Sequence, residues 1–249
     1  MDETVRYLPR DDGERLAYMR QDGRGPTVVW LGGFRSDMTG TKAEALGRWA
    51  GARGQGFLRF DYFAHGASSG DFAMGTITRW RADALAAIDQ LTEGPLVLVG
   101  SSMGAWLACL AAAARPERLA GMVLIAPAPD FTEALMKPAL SPEALAALEA
   151  EGVWNAPAEF GGEVYPLTRA LLDDGARWSI LPGPVPIHCP VRILQGGEDR
   201  SVPWPHALEL AQAIEGRDVV FTLIKGGDHR LSREEDLARL IAAVEALAG

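Results

Sequence analysis

Short runs of consecutive apolar residues alternate with helical patterns along most of the chain. Strands without polar alternation are buried on both faces, which is typical of a parallel sheet covered by helices. Such runs lie at residues 27–31, 57–60, 96–99, 121–126, 191–195 and 219–224. Ahead of them, residues 4–8 and 15–20 flank a turn and are typical of a hairpin. The alternation predicts an α/β fold with a doubly wound, mostly parallel, eight-stranded sheet.

The helical patterns between these runs divide the chain into two parts. Helices are predicted at residues 41–52, 77–91, 102–114, 204–214 and 233–248. From residue 127 to residue 188 the alternation stops and no convincing strand is found. Ser141 and Pro142 indicate a helix start there, and residues 167–174 predict another helix. We therefore expect an α/β core formed by residues 1–126 and 189–249, with residues 127–188 inserted as a small helical lid.

Charge and composition argue against several kinds of function. The formal net charge is −9 at pH 7, which provides no broad basic surface for nucleic acid or anionic lipid. Cys109 and Cys189 have neither metal-ligand spacing nor a disulfide pattern, so we expect no metal site. The sequence has no run of about 18 apolar residues, and stable membrane insertion is not expected. The first residues lack an apolar stretch, which predicts a cytoplasmic protein; monomer and homodimer both stay open.

The pentapeptide Gly-Ser-Ser-Met-Gly at residues 100–104 lies between a predicted buried strand and a predicted helix. The pattern G-x-S-x-G in that position is typical of a nucleophile elbow, a turn so tight that its central serine is pushed into the open. The central residue is Ser102, which is therefore the predicted nucleophile. Ser101 occupies the variable position. The alternative is a turn of small residues without chemistry.

A serine nucleophile needs a histidine to take its proton and a carboxylate to orient that histidine. Sites in such folds form at the carboxyl ends of the strands, so the residues after each strand are the candidates. Asp199 follows a strand in the pattern D-x-x-V-P and is preferred over Glu198 as the acid. His229 follows the last strand and is the predicted base. Asp228 is its direct neighbour, a position that normally turns the side chain away.

The remaining histidines are weaker candidates for the base. His65 lies in the loop after the strand at residues 57–60, where it can face the site, support it or lie at the surface. His188 precedes a strand and therefore lies at the opposite end of the sheet. His206 lies within a predicted helix.

The tetrahedral intermediate of acyl transfer carries an oxyanion that needs preset hydrogen-bond donors. The backbone N–H of Met103, directly after the nucleophile, is one predicted donor. The other is expected in the loop after the strand at residues 27–31, where Gly32 and Gly33 allow close backbone approach. We assign it to the N–H of Phe34.

Stretches spread over nearly the whole chain carry a more specific resemblance. They lie at residues 31–43, 57–62, 80–83, 99–107, 114–117, 152–154, 189–194, 202–204 and 228–230. On these residues the chain resembles the α/β-hydrolase superfamily, and within it a group of serine esterases of animal mitochondria. The resemblance implies an α/β-hydrolase fold, a triad of Ser102, Asp199 and His229, hydrolysis of acyl bonds, and no cofactor.

For that group the implied substrates are S-acylated proteins, in which a fatty thioester on cysteine is cleaved, and acyl glucuronides. The chain departs from the pattern in two ways. It lacks a transit peptide, and Ala64 stands where the superfamily often has glycine.

An apolar acyl group would need a pocket beside the elbow. The predicted substrate-binding residues are Gly33, Arg35, Met38, Trp106 and Trp154, with Phe131, Met136 and Trp178 as further apolar candidates. Core packing is the alternative for Trp106. An ion pair with Asp37 is the alternative for Arg35, which could otherwise meet an anionic group of a substrate.

The leading hypothesis is a serine hydrolase that cleaves carboxylic ester or thioester bonds of apolar acyl groups, free or protein-linked, through a covalent acyl-enzyme. The first alternative is an amidase or peptidase that uses the same triad, which fluorogenic amides would distinguish. The second is a hydrolase fold without catalysis that acts as a ligand-binding scaffold. Failure of a fluorophosphonate to label Ser102 would support that second alternative.

Overall fold

The computed structural model describes residues 4–157 and 164–249. The strands of its main sheet are β1 (Arg6–Pro9), β2 (Arg15–Gln21), β3 (Arg24–Leu31), β4 (Gln55–Phe60), β5 (Leu96–Ser101), β6 (Leu119–Ile125), β9 (Val191–Gly196) and β10 (Val219–Ile224). In the described residues this is an eight-stranded sheet with the order β1-β2-β4-β3-β5-β6-β9-β10. The pairs β1/β2 and β2/β4 are antiparallel and the other neighbours are parallel. The predicted α/β sheet is confirmed.

Helices cover both faces of this sheet. The helices of the described residues are α1 (Thr41–Arg53), α2 (Ile77–Leu91), α3 (Met103–Ala114), α4 (Pro142–Glu151), α5 (Arg169–Arg177), α6 (Trp204–Ala213) and α7 (Glu234–Ala248), of which α4 and α5 lie within residues 127–188. Strand β3 shows how the faces divide, because side chains along a strand alternate in direction. Val29 and Leu31 pack in the cluster that includes α2 and α3. Val28 and Trp30 pack in the cluster that includes α1 and α7.

The insertion at residues 127–188 contains more than helices. Helix α4 begins after Ser141, whose hydroxyl accepts the N–H of Ala144 at 3.2 Å. Strands β7 (Val153–Ala156) and β8 (Tyr165–Thr168) form a two-stranded antiparallel sheet. The expectation that this region has no strand was therefore wrong. Each strand has four residues, too few to show a periodic pattern, and the pairing joins segments that are apart in the sequence.

The insertion is fastened to the core by polar contacts near its carboxyl end. Asp174 of α5 accepts both the N–H and the hydroxyl of Thr78, each at 2.7 Å. Within the insertion, Asp130 accepts the N–H groups of Ile180 and Leu181, both at 2.9 Å, and so joins the two ends of that segment. The core/lid division stays a prediction, and residues 158–163 of that predicted lid lie outside the described residues.

The described part of the chain contains no helix with the length and apolar character needed to cross a bilayer. In the same residues there is no group of three or more His, Cys, Asp and Glu side chains that could hold a metal ion.

Candidate active site

Ser102 occupies the turn between β5 and α3. Its backbone has φ 56° and ψ −120°, a conformation that L-residues rarely adopt and that costs on the order of 1–3 kcal/mol. Backbone bonds hold it there: its N–H donates to the carbonyl of Ile125 at 2.9 Å, and its carbonyl accepts the N–H of Ala105 at 3.0 Å. The serine side chain is therefore set by main-chain contacts on both sides of the turn.

The glycines of the pentapeptide are required by space. A Cβ at Gly104 would clash with the carbonyl oxygens of Leu31 and Gly32. A Cβ at Gly100 would lie 2.5 Å from the carbonyl oxygen of Gly104. The G-x-S-x-G spacing thus reflects a close approach of backbone to backbone, with β3 pressed against the start of α3.

Asp199 and His229 lie in the loops after β9 and β10. The Nδ1 atom of His229 is 2.8 Å from Oδ2 of Asp199. Oδ1 of Asp199 accepts the N–H groups of Ser201 at 3.0 Å and Val202 at 2.8 Å. The D-x-x-V-P segment therefore wraps around a buried carboxylate. Since a carboxylate only accepts hydrogen bonds, it holds the His229 tautomer with the proton on Nδ1.

The neighbours of these residues have other contacts. Glu198 is exposed, and Asp228 accepts the N–H of Leu231 at 2.9 Å. Nε2 of His206 is 2.8 Å from the carbonyl of Pro129. His188 is exposed and lies 3.7 Å from Glu215. In the described structure, His229 is thus the histidine that is paired with a buried carboxylate after a strand.

The loop after β3, residues 32–36, lies against the elbow. We call it the oxyanion loop. A Cβ at Gly33 would lie 3.5 Å from the Cβ of Ser102 and 3.4 Å from the carbonyl oxygen of Ser101. The N–H of Ser36 donates to the carbonyl of Gly33 at 3.1 Å, which closes the loop. The backbone of the oxyanion loop therefore lies beside the Ser102 side chain. The second predicted oxyanion donor, the N–H of Phe34, is part of this loop.

Aromatic rings surround Phe34. Its ring centroid is 5.4 Å from Phe72, 5.5 Å from Phe131 and 5.5 Å from Tyr165. The guanidinium of Arg35 lies over the Tyr165 ring, 4.4 Å from its centroid. The alternative given from the sequence was an ion pair with Asp37. Tyr165 belongs to β8, so the insertion contacts the oxyanion loop directly.

Two of the predicted substrate-binding residues are buried in the core. Met38 is 1% exposed and packs with Ala17 and Met19, in a cluster separate from that of Phe34, because its segment turns back toward β2. Trp106 is fully buried, and its Nε1 donates to the carbonyl of Trp178 at 3.2 Å. Met38 is therefore a core residue away from Phe34, and we no longer assign it to substrate. Trp106 packs against Phe131, with ring centroids 5.8 Å apart, and its assignment stays a prediction. Trp154 is half-buried in β7 against the main core.

A small cavity of about 190 Å³ lies beside the oxyanion loop. Its lining residues are Arg35, Ser36, Asp37, Ala64, His65, Gly66 and Phe72. Ser102 does not line it, so this cavity is next to the candidate site and does not hold the reacting bond.

Lys42 was not identified from the sequence. Its Nζ donates to the carbonyl of Arg230 at 2.5 Å, directly after His229. Burial lowers the pKa of Lys42 to about 8. Helix α1 thus supports the loop that carries His229, a contact across 188 residues of sequence that no local pattern could indicate.

Comparison with known proteins identifies a matching family and several similar proteins. The model of the alpha/beta hydrolase family matches residues 28–243. The chain is 36% identical over 245 residues to the palmitoyl-protein thioesterase ABHD10, mitochondrial, of Rattus norvegicus, covering 98% of this chain and 82% of the rat protein. A crystal structure from Agrobacterium vitis S4 has 41% identity and a TM-score of 0.94, with 99% of each chain covered. The alpha/beta hydrolase domain-containing protein 10 from mouse has 36% identity and a TM-score of 0.89, with 98% of each chain covered.

These relatives correct one expectation. The rat and human proteins are named as mitochondrial, which contradicts the predicted cytoplasmic location. The lack of an apolar stretch in the first residues was therefore a poor basis for that prediction.

Proposed function

The chain belongs to the α/β-hydrolase family, and we propose that it hydrolyses carboxylic ester or thioester bonds of apolar acyl groups through Ser102, His229 and Asp199. The observation that carries the proposal is the 2.8 Å contact between His229 and the buried Asp199. It lies at the same edge of the sheet as the elbow serine. The relatives support the bond type, since the rat protein is named a palmitoyl-protein thioesterase.

In the proposed mechanism the hydroxyl of Ser102 attacks the acyl carbonyl while Nε2 of His229 takes its proton. Asp199 orients the imidazole and stabilises the imidazolium that forms. The N–H groups of Phe34 and Met103 donate to the oxyanion. His229 then protonates the leaving alcohol or thiol. Water, activated by His229, releases the acid from the acyl-enzyme and restores the Ser102 hydroxyl.

The surroundings of the oxyanion loop support an apolar acyl group. The Phe34 ring contacts the rings of Phe131 and Tyr165 next to the elbow. Phe131 and Tyr165 both come from residues 127–188, which we propose as the lid over the site. The proposed substrates are small or protein-linked acyl esters and thioesters, with no nucleic acid partner.

The test compares Ser102→Ala with Ser101→Ala, its matched neighbour in the same pentapeptide. Both variants and the wild type are assayed on p-nitrophenyl esters of increasing acyl length and on an acyl-thioester peptide. Ser102→Ala is expected to lower kcat by on the order of 10⁴-fold or more, because triad members act as a unit. Ser101→Ala is expected to stay within about tenfold of wild type, since it removes no reacting group.

Two controls separate the alternatives. A fluorophosphonate should label the wild type and Ser101→Ala but not Ser102→Ala, and absence of labelling in the wild type would instead favour a non-catalytic scaffold. Fluorogenic amides should be turned over far more slowly than esters of the same acyl group. Equal rates would favour an amidase.

A further inference from the structure

Arg35 stands directly after Phe34 and has a backbone conformation that a side chain disfavours. Its φ is 57°, in the left-handed region where glycine is usual. The N–H of Arg35 points to Nε2 of His65 at 3.1 Å. The Arg35 N–H and the Phe34 carbonyl belong to one planar peptide unit, so a bond that fixes this N–H restricts the backbone torsions that connect the unit to the Phe34 N–H.

The contacts of His65 determine which nitrogen carries its proton. Nδ1 lies 3.0 Å from the carbonyl of Phe63, and a carbonyl only accepts, so Nδ1 donates. Burial lowers the pKa of His65 to about 4, and the nearby charge of Arg35 acts in the same direction. The ring is therefore neutral at pH 7, with a lone pair on Nε2 that can accept the Arg35 N–H.

The ring cannot easily rotate out of this arrangement. His65 is 3% exposed. Its centroid lies 5.7 Å from Tyr62, 5.4 Å from Phe72 and 5.2 Å from Trp80. A second link joins the same two loops, since Asp61 accepts the N–H of Met38 at 2.6 Å and that of Ala67 at 2.8 Å.

We propose that His65 is a positioning residue, whose Nε2 accepts the Arg35 N–H and so holds the Phe34 N–H where the oxyanion forms. This inference rests on the proposed function of Ser102. Imidazole suits the task chemically, because a carboxylate at this place would repel the developing oxyanion. An imidazolium would offer a second donor where an acceptor is needed.

A matched pair of variants tests the bond. Glutamine can place an oxygen acceptor near the position of Nε2, whereas asparagine reaches only the position of Nδ1 and leaves the Arg35 N–H without an acceptor. His65→Asn is expected to lower kcat on the ester by roughly 10–100-fold with KM within about twofold, since small misplacements of catalytic groups have effects of this size. His65→Gln is expected to keep kcat within about fivefold of wild type, by the same reasoning.

The control is His206→Gln, which alters a histidine bonded to the Pro129 carbonyl and should leave kcat unchanged. Equal losses in His65→Gln and His65→Asn would show that the ring only fills space, and would overturn the proposal. So would a wild-type kcat in His65→Asn. If instead the wild type hydrolyses no ester or thioester, the proposed function fails, and the bond is tested by spectroscopy alone.

That second measurement does not depend on activity or on the folding of variants. A long-range ¹H–¹⁵N spectrum of the wild-type chain should show His65 as the neutral Nδ1–H tautomer at pH 7. An Nε2–H tautomer could not accept from Arg35 and would overturn the proposal.

Discussion

The elbow and the oxyanion loop meet at Ser102 but are held in different ways. Each contains a non-glycine residue with positive φ, Ser102 at 56° and Arg35 at 57°. In the elbow, backbone hydrogen bonds and the close packing at Gly104 maintain this conformation. In the oxyanion loop, side chains from other segments maintain it, namely His65 and Tyr165. The elbow is thus held by main-chain groups of neighbouring strands, whereas the oxyanion loop is held by side chains of distant segments.

Among the variants that follow, the largest expected effect comes from the proposed acid, which in the described structure contacts neither the elbow nor the oxyanion loop and acts through His229. Asp199→Asn should lower kcat by about 10⁴-fold, because the amide can hold the wrong tautomer of His229. Steady-state kinetics on a p-nitrophenyl ester measure it, and Asp228→Asn is the matched neighbour. A kcat within tenfold of wild type would show that Asp199 does not orient the base.

Adding a single methyl group at Gly104 should disrupt the elbow. Gly104→Ala introduces a Cβ against the carbonyl oxygens of Leu31 and Gly32. We expect about 3 kcal/mol of destabilisation, at the upper end for overpacking, and at least about 100-fold lower kcat as Ser102 is displaced. Chemical unfolding and kinetics measure these effects.

The control is Gly94→Ala, where φ is 67° but no atom lies within 4 Å of the added Cβ. It should cost about 1 kcal/mol with kcat unchanged, since only the backbone strain remains. Equal destabilisation by the two variants would show that steric packing at Gly104 is unimportant.

The contribution of the oxyanion-loop region to folding stability should depend on pH through His65. Its pKa is about 4 in the folded chain against an ordinary value of 6.5, so the unfolded chain binds the proton first as the pH falls. His65 therefore removes about 3 kcal/mol of stability between pH 6.5 and pH 4. Asp61 acts in the opposite direction, because burial raises the pKa of its carboxyl to about 6.

The two contributions are separated by comparing wild type with His65→Gln. Urea unfolding at several pH values should show the variant gaining about 3 kcal/mol relative to wild type as the pH falls from 6.5 to 4. Above pH 7 the difference should be constant. A difference that is independent of pH throughout would show that His65 has an ordinary pKa.

The smallest expected effect is at the lid contact. Tyr165→Leu removes the ring under Arg35, and the interaction is worth about 1 kcal/mol, so kcat/KM should fall about fivefold. Tyr7→Leu is the matched control, since Arg15 lies over the exposed Tyr7 ring at the same 4.4 Å. Equal kcat/KM in the two variants would indicate that β8 does not influence the oxyanion loop.

The same contrast explains what the sequence could predict. The sheet could be predicted from continuous apolar runs, and the location of Ser102 from the spacing of two glycines, because both depend on neighbouring residues. Asp199 and His229 were predictable as residues that follow strands, and the structure places them in contact. Their catalytic roles stay proposals.

Contacts between loops could not be predicted in this way. The sequence did not assign a role to His65, because no neighbouring residue indicates that its Nε2 accepts the Arg35 N–H. Met38 was assigned to the pocket because it is hydrophobic, yet its side chain packs against Ala17 and Met19 of β2, away from Phe34. Strands β7 and β8 were missed because four-residue strands carry no periodic signal.

The two hydrogen bonds that Asp61 accepts, from the N–H groups of Met38 and Ala67, restrict how such sequences can diverge. Because one carboxylate ties the segments after β3 and β4 together, a substitution in either segment that shifts its backbone also strains the other. Those segments can therefore change only in concert, whereas the elbow, held by main-chain groups, tolerates changes of the side chains on the strands around it. We therefore expect the side chains that support the oxyanion loop to differ more among related chains than the main-chain contacts of the elbow.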